Sequence, residues 1–250
     1  MNPHLISTAA LWLFLALLPG KLHALTATGL FPANNATNVC ADTPLKITFD
    51  SAPTIGTTGA VRIFNSGGTL VETLDLAVAH TRTIGDTVYN ALPVIVTGNT
   101  VSIFPRSGVL AYNTTCYVTM DATVFPGYAG ITSNTTWRFT TKTSAPSSAG
   151  TYFTVAGDGT GDFCTVQGAI DFIPAANTTK RYINIRNGTY QEIVRVSSKH
   201  NLAFRGQNRK RTIISYPNNS NLNPSTNTRP LFNVVANDVS FDNLTLHNTT

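Results

Sequence analysis

Apolar and polar residues alternate over short runs along most of the chain, the period-two pattern of strands with one buried face. Leu45–Phe49, Ala60–Phe64, Thr69–Leu74, Thr100–Phe104, Cys116–Met120 and Trp137–Thr141 all read this way. Gly67-Gly68 follows the second run and predicts a hairpin. Six or seven such strands in little more than 100 residues predict a β-sandwich. The tract 142–151 is small, polar and broken by Pro146, as in a linker. The pattern then switches once to helical spacing. Thr165 is a suitable N-cap, Val166, Ala169, Ile170 and Ile173 share a face, and Pro174 ends the helix. Short strands resume at 182–185, 193–196, 202–204, 212–214, 231–235, 239–241 and 244–246. With no helices between them they predict coils of a solenoid, whose open end the helix covers.

One run does not alternate. Ala9 to Leu18 is continuously apolar, too short to span a bilayer, and is followed by Pro19-Gly20 and a small residue at Ala24. It reads as a secretory signal peptide cleaved near Ala24, although its first residues lack Lys and Arg. The expected organisation is therefore a signal peptide at 1–24, a sandwich domain at 25–141, a linker at 142–151 and a solenoid domain at 152–250. No other stretch is long and apolar enough to span a membrane, so a soluble, secreted protein is expected, extracellular, at the cell surface or periplasmic.

Composition sharpens this reading. Charged residues are only 12% of the chain against 42% hydrophobic, and Glu72 and Glu192 are its two glutamates. That excludes a coiled coil or a charged disordered tail and favours an all-β protein. Of the net charge of +5, most lies after Gly150, where ten Lys and Arg face six acidic residues. On an exported protein, a basic half suits an anionic polymer such as a polyuronate. Nucleic acid is not expected, and Arg209-Lys210-Arg211 reads as a solvated turn. Cys40 and Cys116 both fall at strand edges of the first half and form a candidate disulfide, provided their backbones approach closely enough. Cys164 reads as a small buried residue.

The first half resembles the bacterial Ig-like domains of the surface-layer type, through Phe31-Pro-Ala-Asn-Asn35, Ile47 to Pro53, the spacing from Leu110 to Val118 and the closing Phe139-Thr-Thr141. The second half is more specific. Asp158-Gly-Thr-Gly-Asp-Phe-Cys-Thr-Val-Gln-Gly-Ala-Ile170 resembles the N-terminal signature of pectin methylesterases, D-G-S/T-G-D/N-F-x-T-V-Q-x-A-I. Asn187-Gly-Thr-Tyr-Gln-Glu192, Leu202-Ala-Phe-Arg-Gly206, Thr212-Ile-Ile214 and Phe241 to Thr249 resemble the family's next four elements in order. The resemblance implies a right-handed parallel β-helix with an N-terminal capping helix, incomplete at its C-terminus, and hydrolysis of the methyl esters of polygalacturonate (pectin) to carboxylates and methanol. It implies no cofactor or metal, and a monomer.

Three departures stand out. Gly168 replaces a frequent Glu and removes a capping-box partner for Thr165; Asn187 replaces Pro; and Leu231 falls where many members carry a substrate-contacting Thr. The family's catalytic parts are a nucleophilic Asp, an acid/base Asp, oxyanion-binding Gln side chains and an orienting Arg. They follow motifs that do not occur before Thr250, so no catalytic residue is assigned within this chain, and it is expected to be a fragment that is inactive alone. The remaining acidic and basic groups have structural readings: turn capping for Asp158 and Asp162, an ion pair with Arg195 or Lys199 for Glu192, and turn or outward positions for Asp238 and Asp242. His200 and His247 stand isolated. The spacing Gly157-x-Gly159-x-Gly161 lacks the third glycine of a dinucleotide loop, because Asp162 follows. The alternatives are another β-helix enzyme such as a pectate lyase, which needs clustered Ca²⁺-binding carboxylates, and a non-enzymatic surface adhesin or wall-binding solenoid. Exported protein should begin near Leu25 on N-terminal sequencing; a mature chain that still starts at Met1 would contradict the signal peptide.

Overall fold

The computed structural model describes residues 24–250; the apolar run at 9–18 lies outside them. The described chain is nearly all-β. The first eleven strands are β1 (Ala27–Phe31), β2 (Ala36–Val39), β3 (Leu45–Phe49), β4 (Ala60–Asn65), β5 (Leu70–Asp75), β6 (Thr81–Ile84), β7 (Thr87–Asn90), β8 (Val94–Thr97), β9 (Thr100–Ile103), β10 (Thr115–Met120) and β11 (Arg138–Thr141). Two sheets, ordered β1-β3-β9-β8 and β2-β11-β10-β4-β5, share one core. Alternation supplies that core: Leu45, Ile47 and Phe49 of β3 face Ile63, Val118, Met120 and Phe139 from the other sheet. The Trp137 indole closes one end by donating to the Pro32 carbonyl at 2.8 Å.

The six runs singled out by alternation are all strands. The structure adds five more, β1, β2, β6, β7 and β8, whose residues do not alternate cleanly. The β4–β5 hairpin at Gly67-Gly68 is present. A second hairpin, β6–β7, forms a separate two-stranded sheet turned by Gly85-Asp86, with Gly85 at φ +61. Glycine at the first central position is what a two-residue turn of that hand requires.

After residues 142–151, β12 (Tyr152–Val155) leads into α1 (Val166–Phe172), then β13 (Arg181–Ile185), β14 (Gly188–Gln191), β15 (Val194–Ser197), β16 (Leu202–Gly206), β17 (Thr212–Tyr216), β18 (Phe232–Val235), β19 (Ser240–Asp242) and β20 (Thr245–Asn248). From β13 onward the chain visits three sheets in rotation: β12-β13-β16-β19, β14-β17-β20 and β15-β18. Every pairing within them is parallel. Like residues therefore stack on like. Phe153, Ile183, Phe204 and Phe241 stand in register, with the Phe204 and Phe241 rings stacked 5.2 Å apart. Tyr190, Ile214 and Leu246 do the same in the second sheet. Phe204 and Ile214 are fully buried, whereas Phe241 and Leu246 at the end of the ladders are 44% and 46% exposed.

Helix α1 starts where the sequence places it. Thr165 is the N-cap, its hydroxyl accepting from Gly168 N at 3.0 Å. Val166, Ala169 and Ile170 are buried against the first circuit of strands, and Ile173 at the C-cap is buried with them. At the far end the Lys199 ammonium donates to the Ile173 carbonyl, where a cation suits the helix dipole. Replacing Ile170 with Asp puts an unpartnered carboxylate into this cluster and should cost roughly 3–5 kcal/mol. A thermal or urea midpoint unchanged from the parent would contradict this packing.

Candidate functional site

Two half-buried carboxylates converge where the sandwich meets α1. The helix is short, and its first amides need acceptors. Asp42, in the turn after β2, supplies them for the approach: its carboxylate accepts from Cys164 N at 3.0 Å, Thr165 N at 2.8 Å and Thr165 Oγ1 at 2.7 Å. Glu192, between β14 and β15, takes the next two, accepting from Val166 N and Gln167 N at 2.8 Å each. With Thr165 on Gly168 N, five consecutive amides are satisfied by three side chains. The missing capping-box Glu at 168 has a physical reason. A Cβ at Gly168 would stand 2.3 Å from Asp42 Oδ2, so no side chain fits once Asp42 is in place.

The expected ion pair of Glu192 with Arg195 or Lys199 is corrected. Glu192 faces amides, Lys199 faces a helix carbonyl, and Arg195 reaches back to the first unit. There Asp86, at the tip of the β6–β7 hairpin, accepts from Arg195 Nε and from Ser197 Oγ, the latter at 2.6 Å. A Cβ on Gly85 would lie 3.4 Å from Arg195, so the turn rides directly on β15. Behind the tip, Ile84 and Tyr89 pack with Ile193, Tyr216 and Leu231 in a core of their own. The Tyr216 hydroxyl accepts from Leu92 N at 2.7 Å, while Asn223 and Asn90 exchange two bonds of 3.0 Å. Between hairpin, Asp42 turn and β14 lies a cavity of about 90 Å³, lined by Asp42, Lys46, Arg82, Arg106, Cys164 and Glu192 among others.

The proposed Cys40–Cys116 pair does not come together. Cys116 sits on β10, Cys40 follows β2, and β11 runs between those strands. Two strand spacings are about 9.6 Å, beyond disulfide reach. All three cysteines are buried and unbonded in this structure, and Cys40 lies instead beside Cys164 and Asp42. Sequence reasoning missed that grouping because Cys40 and Cys164 are 124 positions apart. The other singled-out groups have structural partners or face solvent, and His200, read as isolated, has a partner. Asp158 caps Thr160, Asp162 accepts from Thr154 N at 2.8 Å, and Asp242 is exposed on β19. His200 accepts from Asn237 N at 3.0 Å, His247 is exposed, and Arg209, Lys210 and Arg211 occupy an exposed turn. Ala24 is exposed and Leu25 is buried.

Comparison with known proteins separates the two halves. Residues 152–250 match the family model described as Pectinesterase, and residues 22–141 match that of a bacterial Ig-like domain. Pectinesterase 5 of Arabidopsis thaliana is 40% identical over 77 residues, 30% of this chain and 13% of that protein. Pectinesterase 1 of Citrus sinensis is 45% identical over 62 residues, 24% of this chain and 11% of that protein. The chain thus spans about an eighth of the length of these relatives. A crystal structure of a pectin methylesterase mutant in complex with a hexasaccharide is similar at 25% identity and a TM-score of 0.33, over 39% of this chain and 30% of that one.

Burial pushes the Glu192 carboxyl from its ordinary 4.5 up to about 7, opposed by the Gln167 and Val166 amides and reinforced by the Asp42 and Asp171 carboxyls. Burial raises Asp42 as well. Asp86 is pushed down by Arg195 and Ser197 and stays charged over this range. A raised folded value means that the native state holds the proton more tightly than the unfolded chain. Stability from this site is therefore fully present below about pH 4.5 and falls as pH rises through 7. Melting temperature should drop between pH 5 and pH 7.5, and Glu192→Gln should flatten that slope; an equal slope in the variant would overturn the assignment.

Proposed function

We propose that residues 152–250 are the opening circuits of a right-handed parallel β-helix in a secreted carbohydrate esterase that hydrolyses the methyl esters of pectin, and that residues 25–141 are a separate Ig-like domain docked on it. The observation that carries this reading is the pectinesterase match over 152–250. The parallel sheets visited in rotation, with a helix over their first circuit, suit it. The exposed Ala24 before a buried Leu25 is a suitable point for leader removal.

The chemistry follows from the family resemblance. A carboxylate attacks the ester carbonyl, a second carboxyl protonates the departing methoxide to methanol, and amide donors hold the oxyanion. Water, deprotonated by the second group, then frees the galacturonate carboxylate. The carboxylates at the junction are already engaged: Asp42 and Glu192 accept from helix amides and Asp86 pairs with Arg195. We place the catalytic Asp, Asp, Arg and Gln residues after Thr250, on circuits that continue the Phe204–Phe241 and Ile214–Leu246 ladders and cover their exposed ends. The basic excess of the second half is suited to the polyuronate product.

Residues 1–250 alone should release no methanol from methyl-esterified pectin, whereas the chain extended through the family's remaining motifs should release it without added metal. Turnover by residues 1–250 equal to that of the extended chain would place catalytic groups before Thr250. No turnover by the folded extended chain would favour a wall-binding protein.

A further inference from the structure

The geometry points to a disulfide between Cys40 and Cys164 that ties the Ig-like unit covalently to the helix-capped unit. Cys40 follows β2 and Cys164 immediately precedes the N-cap Thr165. Both are almost fully buried, at 0% and 1% exposure. Their sulfurs and the Asp42 carboxylate all lie within 4.8 Å of one another. A disulfide closes that separation to about 2.05 Å.

The backbones on both sides are already held. Asp42, two residues after Cys40, accepts from the Cys164 amide itself at 3.0 Å. Lys142 donates to the Gly161 carbonyl, three residues before Cys164. As thiols the pair gains little: Cys40 Sγ meets the Gly161 and Gly159 carbonyls at 3.6 and 3.8 Å, long contacts for a weak donor.

A metal ion could use the same three side chains, but the surroundings disfavour it. Asp42 already accepts from three donors, and those bonds set the helix start. The Lys46 ammonium lies close enough to interact with Cys164, adding positive charge where a cation would sit. The hydrogen bond with the neighbouring Cys40 thiol, then burial and the Asp42 charge, also push the Cys164 thiol up, whereas a metal needs thiolates.

The oxidant is a small disulfide such as oxidised glutathione. One cysteine thiolate attacks it, forming a mixed disulfide and releasing one glutathione thiolate. The second cysteine, deprotonated, attacks the protein sulfur of that mixed disulfide and expels the second glutathione. Two protein thiols are oxidised and one disulfide is reduced to two thiols. Exchange needs an exposed thiolate, so it precedes docking of the two units. Only the oxidising compartment rests on the secretion reading above; the purified protein in a redox buffer tests the bond itself.

The test is a peptide map of the extended protein, folded in a reduced/oxidised glutathione buffer, denatured and alkylated without reduction. The expected result is a Cys40 peptide linked to a Cys164 peptide, with Cys116 alkylated. Reduction should lower the melting temperature by roughly 5–10 °C. Cys116→Ser should keep both the link and the shift, and the double variant Cys40→Ser, Cys164→Ser should lose the dependence on reductant. Three alkylated cysteines, a Cys40–Cys116 link, or one equivalent of retained zinc with Cys40 and Cys164 unlinked would each overturn the proposal.

Discussion

Five backbone amides at the start of one short helix govern how this chain is assembled. Left buried and unpaired, each would cost about 1–3 kcal/mol. Two carboxylates and a hydroxyl meet them, and the carboxylates come from opposite sides of the junction: Asp42 from the sandwich, Glu192 from the strands that follow the helix. Neither is free to serve elsewhere. The price is a pair of desolvated acids close together, which is why both are harder to ionise than in water. The first unit is thus part of the second unit's end cap rather than a bead on a flexible thread.

The β6–β7 hairpin makes the same point at a second place. It carries Asp86 to Arg195 and lays Ile84 and Tyr89 on Ile193, Tyr216 and Leu231. Two neighbouring contacts, one at the helix start and one along β15 and β17, hold the first unit on the second, and Gln167 of the helix bonds the Arg195 backbone between them. A surface ion pair alone would contribute little; here Arg195 is mostly buried and the pair sits at the edge of an apolar cluster.

What could be read from the residues tracks how local the cause is. Alternation exposed the six sandwich runs, and the Thr165 cap with its apolar face exposed the helix, because each signal lies within a few positions. Strand β14 carries a single buried apolar residue, Tyr190, and gave no period to detect. The junction was illegible for a different reason. Asp42 looks like any turn aspartate, and nothing near it indicates helix amides 123 positions later. Gly168 stands out as a departure from the pectinesterase signature, but only the position of Asp42 explains it. Sequence proximity likewise favours Cys116 beside Cys40, while the sheet order inserts β11 between their strands.

The fit of Asp42 over Gly168 also bears on the order of events during synthesis. The ribosome delivers the sandwich before the helix, so Asp42 can be in position while residues 164–168 are still emerging. A helix of seven residues is too short to persist by itself in water. Its first stable acceptor is therefore on a part of the chain already made, and the earlier unit acts as an intramolecular template for the later one. Moved to the other end of the same polypeptide, the sandwich would arrive too late to do so.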